Sequence, residues 1–225
     1  MPARTVILVH GAFADGTSWR RVIPMVKRAG LNVISVQIPL ETLEQDVAFT
    51  QRAIELSEGP IVLVGHDWGG VVITEAGCSS KIKSLVYVAA FIPDAGQSLL
   101  DIVKCSAESP VSKFIQRNGD GYVRLSDEGV FMHLAPDLPR SEQEIVAATQ
   151  GSIREGAISQ AITRTAWRDR PTFVLVTTND SLVSAQLQRD QARRISAISC
   201  EVASSHLVTL THPEAVSRLI LDAAR

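Results

Sequence analysis

Short runs of β-branched residues alternate with longer segments of helical periodicity along most of this chain. Thr5–Val9 is apolar at every position, as expected of a strand that helices cover on both faces of a sheet. The same pattern predicts further strands at Val33–Val36, Ile61–Val64, Ile82–Ala89, Phe173–Val176 and Cys200–Val202. Helical spacing predicts helices at Trp19–Arg28, Leu43–Leu56, Val71–Gly77, Ala185–Ile195 and His212–Ala224. Repeated strand–helix–strand units predict an α/β fold with a mostly parallel sheet flanked by helices.

The stretch from about 95 to 168 interrupts this alternation. It is mostly helical in character, with loops at Asn118–Gly121 and Pro136–Pro139. It therefore predicts a small helical cap over the strand ends, where open α/β sheets bind ligands. No Pro/Gly/Ser-rich linker or internal repeat divides the 225 residues, so residues 1–225 are predicted to form one domain.

The segment Val64-Gly65-His66-Asp67-Trp68-Gly69-Gly70 joins a predicted strand to a predicted helix. Its pattern, with glycines two positions before and two after a central residue, is typical of a nucleophile elbow. Glycines are needed there because the turn is strained and neighbouring backbone passes close to the nucleophile. The sequence therefore predicts that Asp67 occupies the nucleophile position.

A histidine and an acid follow the last two predicted strands. His206 comes just after the final strand, and Asp180 just after the strand before it. The order nucleophile, acid, histidine is the one used with this elbow, so Asp67, Asp180 and His206 are predicted to form a catalytic triad. Asp94, after an earlier strand, remains the alternative acid. His212, at the start of a helix, is interpreted as a capping or surface residue.

Four segments of the chain together resemble small α/β-hydrolases, the bacterial relatives of plant methylesterases and hydroxynitrile lyases. These segments are His10–Trp19, Val64–His66, Val86–Phe91 and Ser204–His206. The resemblance extends over nearly the whole chain and implies an α/β-hydrolase fold that uses no cofactor. That group normally has serine where this chain has Asp67. An aspartate there resembles instead the epoxide hydrolases and haloalkane dehalogenases of the same fold.

An aspartate nucleophile implies a definite chemistry. A carboxylate is ordinarily ionised near pH 7, so it can attack an sp³ carbon without a base and form an alkyl–enzyme ester. His206, held by Asp180, would then activate water to hydrolyse that ester. The backbone N–H groups of Ala12 and Trp68 are predicted to form the oxyanion hole. The main prediction is therefore hydrolysis of an epoxide or a carbon–halogen bond.

The pocket is predicted to be apolar and to take a small apolar organic substrate. The predicted substrate contacts are Phe13, Trp68, Phe91, Tyr122 and Phe131. Epoxide hydrolases place two cap tyrosines on the epoxide oxygen, whereas Tyr122 is the only tyrosine in the predicted cap. Haloalkane dehalogenases hold the halide with the tryptophan after the nucleophile, matched by Trp68. Their second donor is often an asparagine where this chain has Ala12.

Two other functions stay open from the sequence. The first is an ester or lactone hydrolase scaffold whose elbow serine is replaced by Asp67. In that case the anionic side chain would repel the oxyanion that develops during attack on a carbonyl. The second is a non-catalytic protein that binds a small ligand in the same pocket.

The composition of the chain limits the kinds of molecule or surface that it is expected to bind. The net charge of −2 and the lack of a basic stripe argue against nucleic acid, and no apolar run approaches the roughly 20 residues that span a bilayer. The run Val6–Val9 is too short for a signal peptide, and the three cysteines are scattered without metal-ligand spacing. We therefore expect a cytoplasmic protein without metal or membrane association. The sequence leaves a homodimer open.

Overall fold

The computed structural model describes residues 1–106 and 109–225. Its strands are β1 (Thr5–Val9), β2 (Asn32–Val36), β3 (Ile61–His66), β4 (Ile82–Val88), β5 (Ile115–Arg117), β6 (Tyr122–Leu125), β7 (Ile153–Arg154), β8 (Thr172–Thr177) and β9 (Ile198–Val202). Its α-helices are α1 (Val22–Arg28), α2 (Leu43–Leu56), α3 (Trp68–Ala76), α4 (Leu99–Lys104), α5 (Asp127–Gly129), α6 (Arg140–Thr149), α7 (Glu155–Ile158), α8 (Ala185–Arg194), α9 (Val208–Thr211) and α10 (Pro213–Ala224). Tighter 3₁₀ turns lie at Gly16–Trp19, Pro110–Phe114 and Ala166–Arg168, and a π-helical turn lies at Val130–Leu134.

Six strands form one parallel sheet in the order β2-β1-β3-β4-β8-β9. The neighbours β1 and β3 are in register from Thr5 opposite Ile61 to Val9 opposite Gly65. Because parallel strands end at the same edge of a sheet, the loop after β1 lies beside the turn after β3. Ligands of open α/β sheets bind at such an edge.

Helices cover both faces of the sheet, as the apolar strands predict. Ile7 and Leu63 face one apolar layer, whereas Val6 and Val62 face the other, and all four side chains are fully buried. Alternate residues of a strand point to opposite faces, so a strand buried on both sides has to be apolar throughout. Burial of each such side chain contributes about 1.5–3 kcal/mol to the unfolding free energy.

The cap between β4 and β8 contains a sheet that the sequence analysis did not predict. Strands β5, β6 and β7 form a three-stranded antiparallel sheet in which Val123 pairs with both Arg117 and Ile153. The strands are only two to four residues long. Such short runs carry too few alternations to distinguish a strand from a loop. The prediction of a helical cap was therefore incomplete.

The predicted helices differ from the observed ones mainly at their starts. The helix predicted at Trp19–Arg28 is divided into a 3₁₀ turn and α1, and α3 begins at Trp68, three residues earlier than predicted. Gly69 lies in the first turn of α3, and a Cβ there would lie 2.4 Å from the carbonyl oxygen of Val9. The glycine therefore permits close packing of α3 on β1.

In the described part of the chain, no helix is long and apolar enough to cross a membrane. Nor do the described residues bring three His, Cys, Asp or Glu side chains together in an arrangement that could hold a metal ion.

Candidate active site

The turn between β3 and α3 has the strained geometry of a nucleophile elbow. Asp67 has a φ of 51° and a ψ of −117°, a backbone conformation that residues other than glycine rarely adopt. A Cβ at Gly65 would lie 2.4 Å from the carbonyl oxygen of Gly69, so only glycine fits two positions before Asp67. The turn therefore presents the Asp67 side chain at the carboxyl edge of the sheet.

The structure brings the three predicted triad residues together. Nδ1 of His206 lies 2.9 Å from Oδ2 of Asp180, and Nε2 of His206 lies 3.8 Å from Oδ1 of Asp67. All three side chains are buried. Asp94 instead forms exposed ion pairs with Arg168 and Arg194, so it is not the acid that orients the histidine.

Asp180 is held by the loop after β8. The Thr177 hydroxyl donates to Oδ2 over 2.8 Å, while the backbone N–H groups of Leu182 and Val183 donate to Oδ1 over 2.8 and 3.0 Å. Burial alone would raise the pKa of Asp180, but the charge of His206 and these hydrogen bonds outweigh it and lower the pKa. Asp180 is therefore a fixed anion.

The backbone around His206 is also held in place. The Nε2–H of His66 donates to the carbonyl oxygen of His206 over 3.0 Å. Burial, together with the nearby charge of His206, lowers the pKa of His66 to about 3, so this ring stays neutral. In the cap, Oδ2 of Asp137 accepts the backbone N–H of Ser205 over 2.9 Å. The sequence analysis assigned no role to His66, Asp137 or Ser205.

The pKa values of Asp67 and His206 reflect burial and mutual attraction. Burial raises the pKa of Asp67, although the charge of His206 and the N–H groups of Ala12 and Trp68 oppose that change. Burial lowers the pKa of His206, but the charge and hydrogen bond of Asp180, together with the charge of Asp67, outweigh it and raise the pKa. The sequence analysis treated Asp67 as freely ionised near neutral pH, and burial in the folded protein disfavours that form.

The predicted oxyanion donors hold the Asp67 side chain itself. The backbone N–H of Ala12 donates to Oδ2 of Asp67 over 2.8 Å, and the N–H of Trp68 also stabilises the carboxylate. A Cβ at Gly11 would lie 2.7 Å from the same oxygen, so glycine is required beside it. Oδ2 of Asp67 thus lies on the Ala12 donor of the predicted oxyanion hole.

His10 fixes the loop that carries Ala12. Its Nε2 accepts the backbone N–H of Ile38 over 3.2 Å, which leaves the Nδ1–H to donate to the carbonyl oxygen of Gly11 over 2.9 Å. Burial lowers the pKa of His10 and keeps the ring neutral, as this pair of bonds requires. His10 therefore has a structural role in this loop.

Asp67 borders a cavity of about 420 Å³, within the size range of small-molecule sites. Phe13 and Phe91 lie in its wall, as predicted. Most of its other lining residues are apolar: Leu99, Leu100, Val103, Val111, Ile115, Val123, Ile153, Ile158 and Leu182. The small cap sheet and helix α4 supply six of these nine apolar residues. Among the residues that the structure describes, Lys104, Arg117 and Glu155 are the charged lining residues besides Asp67.

Three predicted substrate contacts lie elsewhere. The Trp68 indole is fully buried and its N–H donates to Oδ2 of Asp46 over 2.7 Å. The Tyr122 hydroxyl donates to Glu41 over 2.6 Å, because alternation along β6 turns Tyr122 to the face opposite Val123. The Phe131 ring packs against the Arg140 guanidinium, whose Cζ lies 3.5 Å from the ring centroid. The structure therefore does not place Trp68, Tyr122 or Phe131 in the wall of this cavity, unlike the sequence prediction.

The sequence model of the alpha/beta hydrolase family matches residues 6–219. This chain belongs to the alpha/beta hydrolase family. Its six-stranded sheet and strained elbow agree with that assignment, and so does the resemblance seen in the sequence.

Individual relatives of this α/β hydrolase include an esterase and a lyase. It is 34% identical over 122 residues to the carbendazim hydrolyzing esterase of Nocardioides sp. (strain SG-4G), covering 47% of this chain and 50% of that protein. It is 29% identical over 103 residues to the alpha-hydroxynitrile lyase of Arabidopsis thaliana, covering 39% and 40% of the two chains. These matches span half or less of either relative's length.

A solved structure shares the fold of this α/β hydrolase over its full length. The pyrethroid hydrolase from Sphingobium faniae JZ-2 superposes with a TM-score of 0.87 at 18% identity, covering 98% of this chain and 97% of that one. The esterase relative favours the ester-hydrolase alternative over the predicted epoxide or carbon–halogen chemistry.

Proposed function

We propose that this α/β hydrolase is an ester hydrolase scaffold for a small apolar ester or lactone, in which Asp67 stands in place of the nucleophilic serine. The observation that carries the proposal is the 2.8 Å bond from the backbone N–H of Ala12 to Oδ2 of Asp67. That N–H already binds a carboxyl oxygen at the point where an ester's oxyanion is stabilised during hydrolysis.

The positions of Asp180 and His206 support the proposal. With a serine at position 67, His206 would take the hydroxyl proton during attack and return it to the departing alcohol, while Asp180 orients the imidazole. The apolar cavity suits the body of a small ester. The named esterase relative supports the same class of substrate.

Asp67 itself opposes attack on a carbonyl. Its Oδ2 occupies the site that the carbonyl oxygen needs, and a carboxylate repels the negative charge that develops there. We therefore expect the natural chain to bind apolar esters but to hydrolyse them slowly near neutral pH. Removal of the carboxylate should release the oxyanion hole.

The test compares the natural chain with Asp67→Ser and with Asp67→Ser/His206→Ala on p-nitrophenyl acetate and butyrate. Asp67→Ser is expected to raise kcat/KM at least about 100-fold, the usual contribution of an oxyanion donor. A fluorophosphonate probe should add its mass to Asp67→Ser alone, and the double variant should lose the gain. A folded Asp67→Ser protein that neither gains turnover nor takes the label contradicts the proposal.

The aspartate mechanism is a second candidate, favoured by one feature. With Oδ2 of Asp67 held by Ala12, Oδ1 is left 3.8 Å from Nε2 of His206. An alkyl ester formed on Oδ1 would keep its carbonyl oxygen in the oxyanion hole, beside the histidine that activates water. Against it, the Trp68 and Tyr122 donors that would assist a leaving group are bonded to Asp46 and Glu41.

His206→Ala separates the two candidates. Under the aspartate mechanism, attack by Asp67 survives and hydrolysis does not, so an aryl epoxide or a bromoalkane leaves a stable mass adduct on Asp67. Under the ester-hydrolase proposal no such adduct forms.

A further inference from the structure

Asp46 is a fully buried carboxylate on α2 whose charge is stabilised by hydrogen bonds. Its Oδ1 accepts the backbone N–H of Leu40 over 2.8 Å, and its Oδ2 accepts the indole N–H of Trp68 over 2.7 Å. Among the described residues, no Lys, Arg or His forms an ion pair with it. A carboxylate in such a position depends on its donors, because leaving a buried charge without partners is costly.

The indole donor belongs to Trp68, the residue that follows the nucleophile position. Trp68 begins α3, and its ring is fully buried. Its backbone N–H helps to hold the carboxylate of Asp67. The indole N–H of the same residue donates a hydrogen bond to Asp46. The direction of the Trp68 backbone N–H is therefore tied to the position of a side chain on a different helix.

The other donor, the backbone N–H of Leu40, connects Asp46 to the cap. Leu40 has a φ of 62°, a strained conformation that turns its N–H toward Asp46. Its carbonyl oxygen accepts the backbone N–H of Arg154 in β7 over 2.9 Å. Next to it, Glu41 accepts the Tyr122 hydroxyl of β6. The cap sheet thus contacts the backbone segment that Asp46 holds.

We propose that Asp46 is a positioning residue of the oxyanion hole, fixing the Trp68 indole so that the Trp68 backbone N–H stays directed at the Asp67 carboxylate. The role in turnover rests on the proposed ester-hydrolase function; the positioning itself does not. Asp46 also fixes the Leu40 turn on which the cap sheet rests, so the wall of the cavity and the oxyanion donors share one anchor.

The kinetic test uses Asp46→Asn, Trp68→Phe and their combination in the Asp67→Ser background. Asparagine keeps the shape but accepts only one of the two N–H groups, and phenylalanine keeps the ring but donates none. Each single variant is expected to lower kcat for p-nitrophenyl butyrate about 10- to 100-fold, with KM within about threefold. Because both changes act on the Asp46–Trp68 bond, the double variant should lose no more than the more damaging single one.

The spectroscopic test uses the natural aspartate and does not depend on turnover. In ¹H–¹⁵N spectra, the Trp68 indole resonance is assigned by its absence in Trp68→Phe. Asp46→Asn should shift that resonance, speed its exchange with D₂O at least tenfold, and shift the backbone amides of Trp68 and Ala12. Asp190→Asn, which changes an exposed aspartate bonded to Gln186 and Arg193, is the matched control and should leave all of them unchanged.

The outcomes separate the two proposals. If the indole resonance moves while the Trp68 and Ala12 amides do not, Asp46 does not reach the oxyanion hole and the inference is overturned. Multiplying losses in the double variant overturn it as well. If Asp67→Ser is inactive but both amides shift, the positioning role stands and the ester-hydrolase function fails. Should Asp46→Asn not fold, Trp68→Phe must alone give the loss in kcat without a change in KM.

Discussion

Nδ1 of His206 lies 2.9 Å from Oδ2 of Asp180, with both side chains buried. The Asp180 carboxylate receives further hydrogen bonds from Thr177, Leu182 and Val183, so its position is fixed independently of the histidine. The pair therefore holds the Nδ1–H tautomer and leaves Nε2 of His206 directed toward Asp67. This arrangement is needed both for a base that activates a serine and for one that activates water.

Asp180→Asn tests this relationship in the Asp67→Ser background. The amide can present an N–H to Nδ1 and stabilise the wrong tautomer, so kcat/KM should fall about 10³- to 10⁴-fold. Because Asp180 raises the pKa of His206, its loss should also move the acidic limb of the pH–rate profile to lower pH. Asp94→Asn, which affects only exposed ion pairs, is the control. An unchanged acidic limb would show that Asp180 does not set this pKa.

Val123 and Tyr122 are adjacent in β6, and we expect the first to affect substrate binding and the second to affect thermal stability. Val123→Phe places a phenyl ring in the cavity. In the Asp67→Ser background it should raise KM for p-nitrophenyl octanoate about tenfold or more. KM for p-nitrophenyl acetate, whose acyl chain is short, should change less than about twofold. Tyr122→Phe removes the bond to Glu41 on the opposite face, so it should lower the Tm and leave both KM values unchanged. Equal effects of the two variants on KM would contradict the observed alternation.

The stability of the protein should depend on pH through Asp46. Burial raises the pKa of Asp46 from 3.8 to about 6, so between these pH values the folded chain binds more protons than the unfolded chain. The unfolding free energy therefore falls as the pH rises through this range, by about 3 kcal/mol in total. Asp46→Asn has no carboxyl group to titrate at this position. Urea unfolding at pH 4.5 and pH 7 should therefore show a smaller decrease in its unfolding free energy than in that of the natural chain. Asp190→Asn should keep the natural decrease; parallel decreases in all three proteins would refute the prediction.

Local sequence patterns predicted the central sheet and the elbow well. Every strand of the six-stranded sheet was predicted to within about two residues. The inner strands β1 and β3 are apolar throughout because they are buried on both faces, whereas the edge strands β2 and β9 are largely exposed. The positions of Asp67, Asp180 and His206 followed from their places after three strands. Parallel strands end at one edge, so residues far apart in the sequence had to meet there.

One missed residue left a trace in the sequence. Asp46 lies on the buried face of α2 with Leu43, Val47, Thr50 and Ile54. A charged residue on an otherwise apolar helical stripe indicates a buried hydrogen-bonding role. The sequence could not name its partners, because Leu40 and Trp68 meet it only when the elbow packs on α2.

The sequence by itself determined the parallel sheet, the strained turn that carries Asp67, and the order of Asp67, Asp180 and His206 along the chain, since each depends on periodicity or on a short motif. Only the tertiary structure decided where side chains point. It turned the Trp68 indole toward Asp46, turned Tyr122 away from the cavity, and placed Oδ2 of Asp67 on the N–H of Ala12. Those directions depend on packing between segments distant in the chain, and they change the expected chemistry from epoxide or carbon–halogen cleavage to that of an ester hydrolase scaffold.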